Sequence, residues 1–360
     1  VSAIIEDVKH LSSVSAPPSG SRPLAALPDE FEPRKLLRKG APIVVLLTIL
    51  VLILVLAPGT GEVGHLLRDA SLGWVAVAIG LELLSCISYV LMFRPIFCQR
   101  MAWSFASKIG WSELGAGSIV PASGAAGLAL GAWALHEGGM ATDRIARRSV
   151  AFFLIKSSVN FFAVAILGYL LAIGLLHADQ PLWLTLGPAV LATLVIALVV
   201  ALPRLGPGPD PREGAGKVAR GLSAGRRALI HGTTEALTTL RHPSALMVAG
   251  AVGYWIWDNA VLWATFHAFG ASVPITAILM GYLIGQLGGA LPIPGGIGGI
   301  DGGLIGAMIV FGAPAAAATA AVLVYRVILF WLPLIGGGIA FVLLRRELAS
   351  QAENHPLAVC

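Results

Sequence analysis

Glu82, Lys156, Asp258, Asp301 and Arg326 stand inside long apolar runs of the sequence, where an ionised group costs a few kcal/mol or more unless it is paired or solvated. Residues placed this way are the first candidates for chemistry. Arg326 is the strongest, because it lies far from both ends of the run 315–344 and its planar fork of donors takes a phosphate through two hydrogen bonds. Its competing role is a structural salt bridge to Asp258 or Asp301. Lys156 is seven residues from Ser149, roughly 10 Å along a helix, so it either joins Arg326 at a phosphate or snorkels to the membrane surface. Asp301 either caps a helix start, where the dipole favours a carboxylate, or meets Arg326 or a cationic headgroup. Glu82 and Asp258 serve equally well as ties between helices and as substrate contacts. Tyr254, Trp255, Trp257 and Trp263 read as helix packing or an interfacial belt, and Arg144, Arg147 and Arg148 as an anchor to anionic lipid. No nucleophile stands beside a base, and there is no metal-ligand spacing or nucleotide loop, so no catalytic residue, metal or cofactor is expected and the chain does not read as an enzyme.

The element that must position Asp301 and Arg326 is the stretch 291–312, LPIPGGIGGIDGGLIGAMIVFG. It is too apolar for a water-facing loop and too rich in Gly and Pro for a plain helix. Pro292, Pro294, Gly295 and Gly296 break any incoming helix, and the sequence can restart as a helix from Gly298. A re-entrant hairpin over 274–312 follows, with Gly295, Gly298 and Gly302 on one face open to close backbone approach; the alternative is a kinked, Gly-packed helix. The spacing of Pro292, Gly295, Gly298 and Gly302 occurs once more, in Pro121, Gly124, Gly127 and Gly131, which predicts a first hairpin over 111–135. Each copy is preceded by a run holding an acid, Glu82 or Asp258, and followed by one holding a base, Lys156 or Arg326. Loop charges bring the two hairpins in from opposite sides, so the halves read as inverted repeats, an arrangement built around a midplane site.

Composition sets the class. With 57% hydrophobic and 12% charged residues and a mean hydropathy of +0.84, a soluble globular protein is excluded. The net charge of +5 comes from basic residues crowded between apolar runs, which argues for topology rather than nucleic-acid binding. The three cysteines, Cys86, Cys98 and Cys360, suggest no disulfide framework. The expected fold is an all-α polytopic membrane protein with about six full transmembrane helices, over 41–57, 71–93, 149–176, 181–202, 245–269 and 315–344, plus the two hairpins. An interfacial helix is expected shortly before 111. Residues 1–40 read as a disordered cytoplasmic tail, 41–180 as the first repeat, 181–344 as the second and 345–360 as a cytoplasmic tail. The basic loop 203–242 falls inside, its second half as an amphipathic surface helix.

The segments LPIPGGIGGIDGGLIGAMIVFGAP and VLVYRVILFWLPLIGGGIAF, and more faintly GSIVPASGAAGLALGAWAL, resemble the transmembrane region of lysylphosphatidylglycerol synthase/flippase proteins of bacteria and archaea, over roughly 41–344. In that family the second hairpin reads P-G-G-x-G with an acid a few residues on, followed by an Arg in a Tyr-Arg pair. Pro294, Gly295, Gly296, Gly298, Asp301, Tyr325 and Arg326 hold those places. The family often has an acid and an Arg after the first hairpin's Pro and Gly, whereas this chain has no charged residue over 125–134, and Lys156 stands where Arg is usual. Half of the family's polar lining is therefore expected to be missing. The resemblance implies movement of a phospholipid or lipid-linked headgroup across the cytoplasmic membrane, both termini inside, by a chain that does not make the lipid. A non-transporting scaffold of a lipid or glycolipid synthase and a small-solute transporter are the alternatives. Membrane lipids are the expected partners, with a homo-oligomer and a lipid synthase as further ones, and no nucleic acid.

Overall fold

A computed structural model describes residues 61–119, 125–176, 181–206, 208, 216–287 and 299–350. They form α1 Gly61–Arg68, α2 Leu72–Phe97, α3 Trp103–Ile119, α4 Ala125–Glu137, α5 Thr142–Ala172, α6 Leu182–Ala201, a 3-10 turn Leu202–Leu205, α7 Lys217–Arg241, α8 Ala245–Ala268, α9 Ile275–Leu287, α10 Gly299–Val310 and α11 Ala315–Ser350. The fold is all-helical, with no strand among the described residues. Five helices, α2, α5, α6 with its turn, α8 and α11, are long and apolar enough to cross a membrane. The span expected over 41–57 and the tail 1–40 lie outside the described residues.

Large apolar side chains cover the outer faces of these helices: Leu72 is 81% exposed, Trp183 72% and Leu198 63%. In water such a surface would drive association, whereas against acyl chains it is neutral. Two boundaries differ from expectation. The interfacial helix foreseen before 111 is not separate, because α3 runs unbroken from Trp103. The final helix continues past 344 to Ser350, held by an ion pair between Lys108 and Glu347 and by burial of Leu348.

Helix pairing is set by small residues. Helices α2 and α8 run antiparallel: the amide of Ser71 donates to the carbonyl of Ala268 at one end, the hydroxyl of Ser85 to the carbonyl of Tyr254 midway. At the other end, a Cβ on Gly250 would come within 2.4 Å of the amide nitrogen of Met92. Helix α3 lies antiparallel to α11, where a Cβ on Gly115 would fall 2.9 Å from Cα of Gly337. Neither could approach so closely with a side chain at the contact. The short helices form their own pairs. Gly281 faces Met308 and Gly285 faces Leu304, so α9 and α10 are antiparallel. With 13 and 12 residues, each is roughly 18–20 Å long, too short to cross a hydrocarbon core of about 30 Å.

The second arms of both short pairs end alike. Gly139 and Gly312 adopt positive φ, 94° and 92°, and the next amide reaches back five residues, Met140 to Leu135 and Ala313 to Met308. This is the C-terminal cap in which a residue without a Cβ takes the left-handed conformation. The buried apolar residues form two clusters, one around Phe93, Phe97, Trp133 and Phe152, the other around Phe266, Met280, Met308 and Val322.

Candidate functional site

The charged residues collect at the seam between those two clusters. Asp258 of α8 is 7% exposed; one of its carboxylate oxygens accepts from the Tyr282 hydroxyl of α9 and the other, at 2.8 Å, from the Tyr325 hydroxyl of α11. The next residue along α11, Arg326, turns to α10 and pairs through Nε with Oδ1 of Asp301 at 2.8 Å. Asp301 lies in the first turn of α10, where the helix dipole favours its charge. Of the roles open to Arg326, a salt bridge to Asp301 is present, with Asp258 also in electrostatic reach of Arg326. The pair is not sealed: the Arg326 side chain is 21% exposed and that of Asp301 11%.

Lys156 does not snorkel to the surface. Its ammonium is 5.8 Å from the ring centres of both Tyr89 and Tyr254, a distance at which the negative ring faces still attract a cation. It also lies in electrostatic reach of Glu113 and Asp258. Glu82 of α2 accepts from the Cys86 thiol one turn away and lies in electrostatic reach of Asp258. Six charged groups on six helices thus form one connected cluster.

Glu113 is the residue that sequence reasoning missed. It is 2% exposed, accepts from the Tyr89 hydroxyl at 2.7 Å, and is the acid the first hairpin was expected to lack. It comes from α3, not from the second arm α4 where the family motif places an acid. Helix α4 instead supplies the room: a Cβ on Gly127 would sit 2.4 Å from the carbonyl oxygen of Glu113, and one on Gly131 would strike its carboxylate. The available signal was an ionisable residue inside an apolar run, which is by itself a candidate.

Gly302, expected to face a close backbone, meets no described atom within 4 Å of where a Cβ would stand. The tight glycines of that pair are Gly281 and Gly285 on α9. Pro121, Gly124, Pro294, Gly295, Gly296 and Gly298, and Pro292 with them, lie outside the described residues. Two of the three arginines read as a lipid anchor have protein partners: Arg148 pairs with Glu235 of α7 at 3.1 Å and donates to the Phe97 carbonyl, and Arg147 is 4.0 Å from Glu235. Cys86 is a buried free thiol, but Cys98 is disulfide-bonded. Trp263 packs edge-on against Trp74 at 5.3 Å, a helix-packing role.

Long apolar helices, short paired helices between them and charges buried at their seam define a polytopic membrane protein of α-helical class. The family model described as the lysylphosphatidylglycerol synthase TM region matches residues 43–337, and the chain belongs to that family. Two UPF0104 membrane proteins of Methanothermobacter thermautotrophicus are similar to it. One is 24% identical over 317 residues, 82% of this chain and 92% of the relative. The other match is 26% identical over 139 residues, 38% of this chain and 41% of the relative.

Proposed function

We propose that this chain moves a phospholipid, or a lipid-linked headgroup, across the cytoplasmic membrane, with both termini inside. The observation that carries the reading is the Arg326–Asp301 pair, buried in the bundle yet partly accessible, at the start of a helix too short to span. A lipid phosphate arriving there would meet the amides at the α10 amino terminus and a guanidinium able to exchange a carboxylate for a phosphate oxygen. The short pairs α3 with α4 and α9 with α10 act in this reading as re-entrant hairpins of two inverted repeats. The antiparallel α2 and α8, and the identical caps at Gly139 and Gly312, support that symmetry. In this reading the protein acts on its lipid by binding and carrying it, with no covalent step.

The test is movement of headgroup-labelled phosphatidylglycerol in proteoliposomes, followed by quenching of the outer leaflet with a membrane-impermeant reductant. Wild type should equilibrate the label between leaflets, Arg326→Lys should do so more slowly, and Arg326→Met should not. Full activity in a well-folded Arg326→Met protein would overturn the phosphate assignment. The competing scaffold for a lipid synthase would use α7, yet that helix is tied down by Glu235 to Arg148 and by Gly232, whose absent Cβ admits Val150. Co-purification of a synthase that is lost on changing the exposed Arg220 and Leu222 would favour it.

A further inference from the structure

The buried cluster contains four carboxylates, Glu82, Glu113, Asp258 and Asp301, against two cations, Lys156 and Arg326. Three of the four acids have partners that account for a negative charge. Asp301 has Arg326, Glu113 has Lys156 and the Tyr89 hydroxyl, and Asp258 has two phenol donors with both cations in reach. Glu82 has none of this. It is 5% exposed, its one hydrogen bond is from a thiol, a weak donor, and its second oxygen, Oε2, is buried with no hydrogen-bond partner among the described residues. Groups facing it from the helices around α2 are Asp258 and Tyr254 of α8, Tyr282 of α9 and Tyr325 of α11. Beyond these stand Lys156 of α5, Arg326 of α11 and, through Tyr89, Glu113 of α3. Among the described residues, the charge in electrostatic reach of Glu82 is another carboxylate, Asp258.

We propose that Glu82 and Asp258 form a proton-binding pair in which Glu82 carries the proton at Oε2, and that this proton accompanies the lipid. Two carboxylates in a low-dielectric interior share one proton rather than both ionise. A metal cation is a poor alternative occupant, because it needs a shell of several oxygen lone pairs, whereas each oxygen of Asp258 already accepts a phenol proton and Glu82 offers one open oxygen, Oε2. A single lone pair suffices for a proton. The coupling rests on the lipid reading above. When a phosphate engages Arg326 and Lys156 it uses the charge that compensates the carboxylates, so the pair takes up its one proton from water as an anionic headgroup binds, and returns it when the lipid leaves.

The experiment measures proton uptake by the purified full chain in weakly buffered detergent with a pH dye, on addition of dioctanoylphosphatidylglycerol, with binding followed separately by tryptophan fluorescence. Wild type should take up close to one proton per lipid bound, and its affinity should rise as pH falls. Glu82→Gln, which preserves shape and removes the titrating group, should bind with uptake reduced several-fold and with a flat pH dependence. Binding without uptake in wild type overturns the proton pair and leaves the lipid reading standing. No binding at any pH overturns the lipid reading, and the pair is then judged by infrared difference spectra on a pH jump in the unliganded protein. A carboxylic-acid C=O band present in wild type and missing in Glu82→Gln, or in Asp258→Asn should Glu82→Gln not fold, supports the pair. Its absence from wild type overturns it.

Discussion

Arg326 and Asp301 are the two residues whose pairing can be separated from their use. Removing one partner of a buried ion pair leaves an orphan charge and costs about 3 kcal/mol, whereas removing both is close to neutral. Arg326→Met and Asp301→Leu should each lower the thermal midpoint of the detergent-solubilised protein, and the double variant should recover most of that loss. If the pair is purely structural, the double variant regains lipid movement as well; if Arg326 binds phosphate, it stays inactive. Glu113 calls for a different change. Glu113→Gln keeps an acceptor for Tyr89 but removes the charge facing Lys156. The protein should remain folded in size-exclusion chromatography, while its affinity for an anionic lipid, read by fluorescence titration, rises because Lys156 is released from a competing carboxylate.

Among the elements, the short helix pairs depend on glycines that differ in what surrounds them. Gly127→Leu would drive a side chain into the Glu113 backbone, and Gly115→Leu would push α3 off α11; both should abolish folding or shift α3 by a few Å. Gly302→Ala and Gly338→Leu meet no described atom within 4 Å and should leave the thermal midpoint within about 2 °C of wild type, roughly 0.5 kcal/mol in a chain of this size. Equal tolerance at all four positions would contradict the packing described. Gly139→Ala and Gly312→Ala should each cost about 1–2 kcal/mol, since both glycines are left-handed, and a chemical-denaturation or thermal series checks it. A parallel loss at the two sites would also be the expected signature of equivalent caps in two repeats.

For the whole molecule, orientation follows from the distribution of Lys and Arg. The loop over 203–242 is strongly basic, and 271–314 has neither residue. In cells, a cysteine introduced at Ala271 should react with a membrane-impermeant maleimide from outside, and one at Ser223 only after permeabilisation, in a background with Cys86, Cys98 and Cys360 replaced. Labelling of Ser223→Cys from outside would overturn the inverted arrangement of the halves.

The sequence by itself determined the class of this protein, the positions of its long helices and the existence of short, Gly-rich interruptions. Hydropathy over some twenty residues and Pro-Gly breaks are local properties, so α2, α5, α6, α8 and α11 were legible to within a few residues at most ends, as was the amphipathic α7. The buried charges were legible one at a time for the same reason, since their cost depends only on the apolar run around each. Their partners were not. Asp258 and Asp301 lie 68 and 25 residues before Arg326, and only the packing of α10 on α11 gave the ion pair to Asp301 and left Asp258 to two tyrosines. Glu113 became part of the site through the approach of α4, whose glycines admit it, and Glu82 was left with an oxygen that has no hydrogen-bond partner among the described residues. Which acids are compensated and which one lacks a cation is a property of distances between helices, and tertiary structure alone decided those.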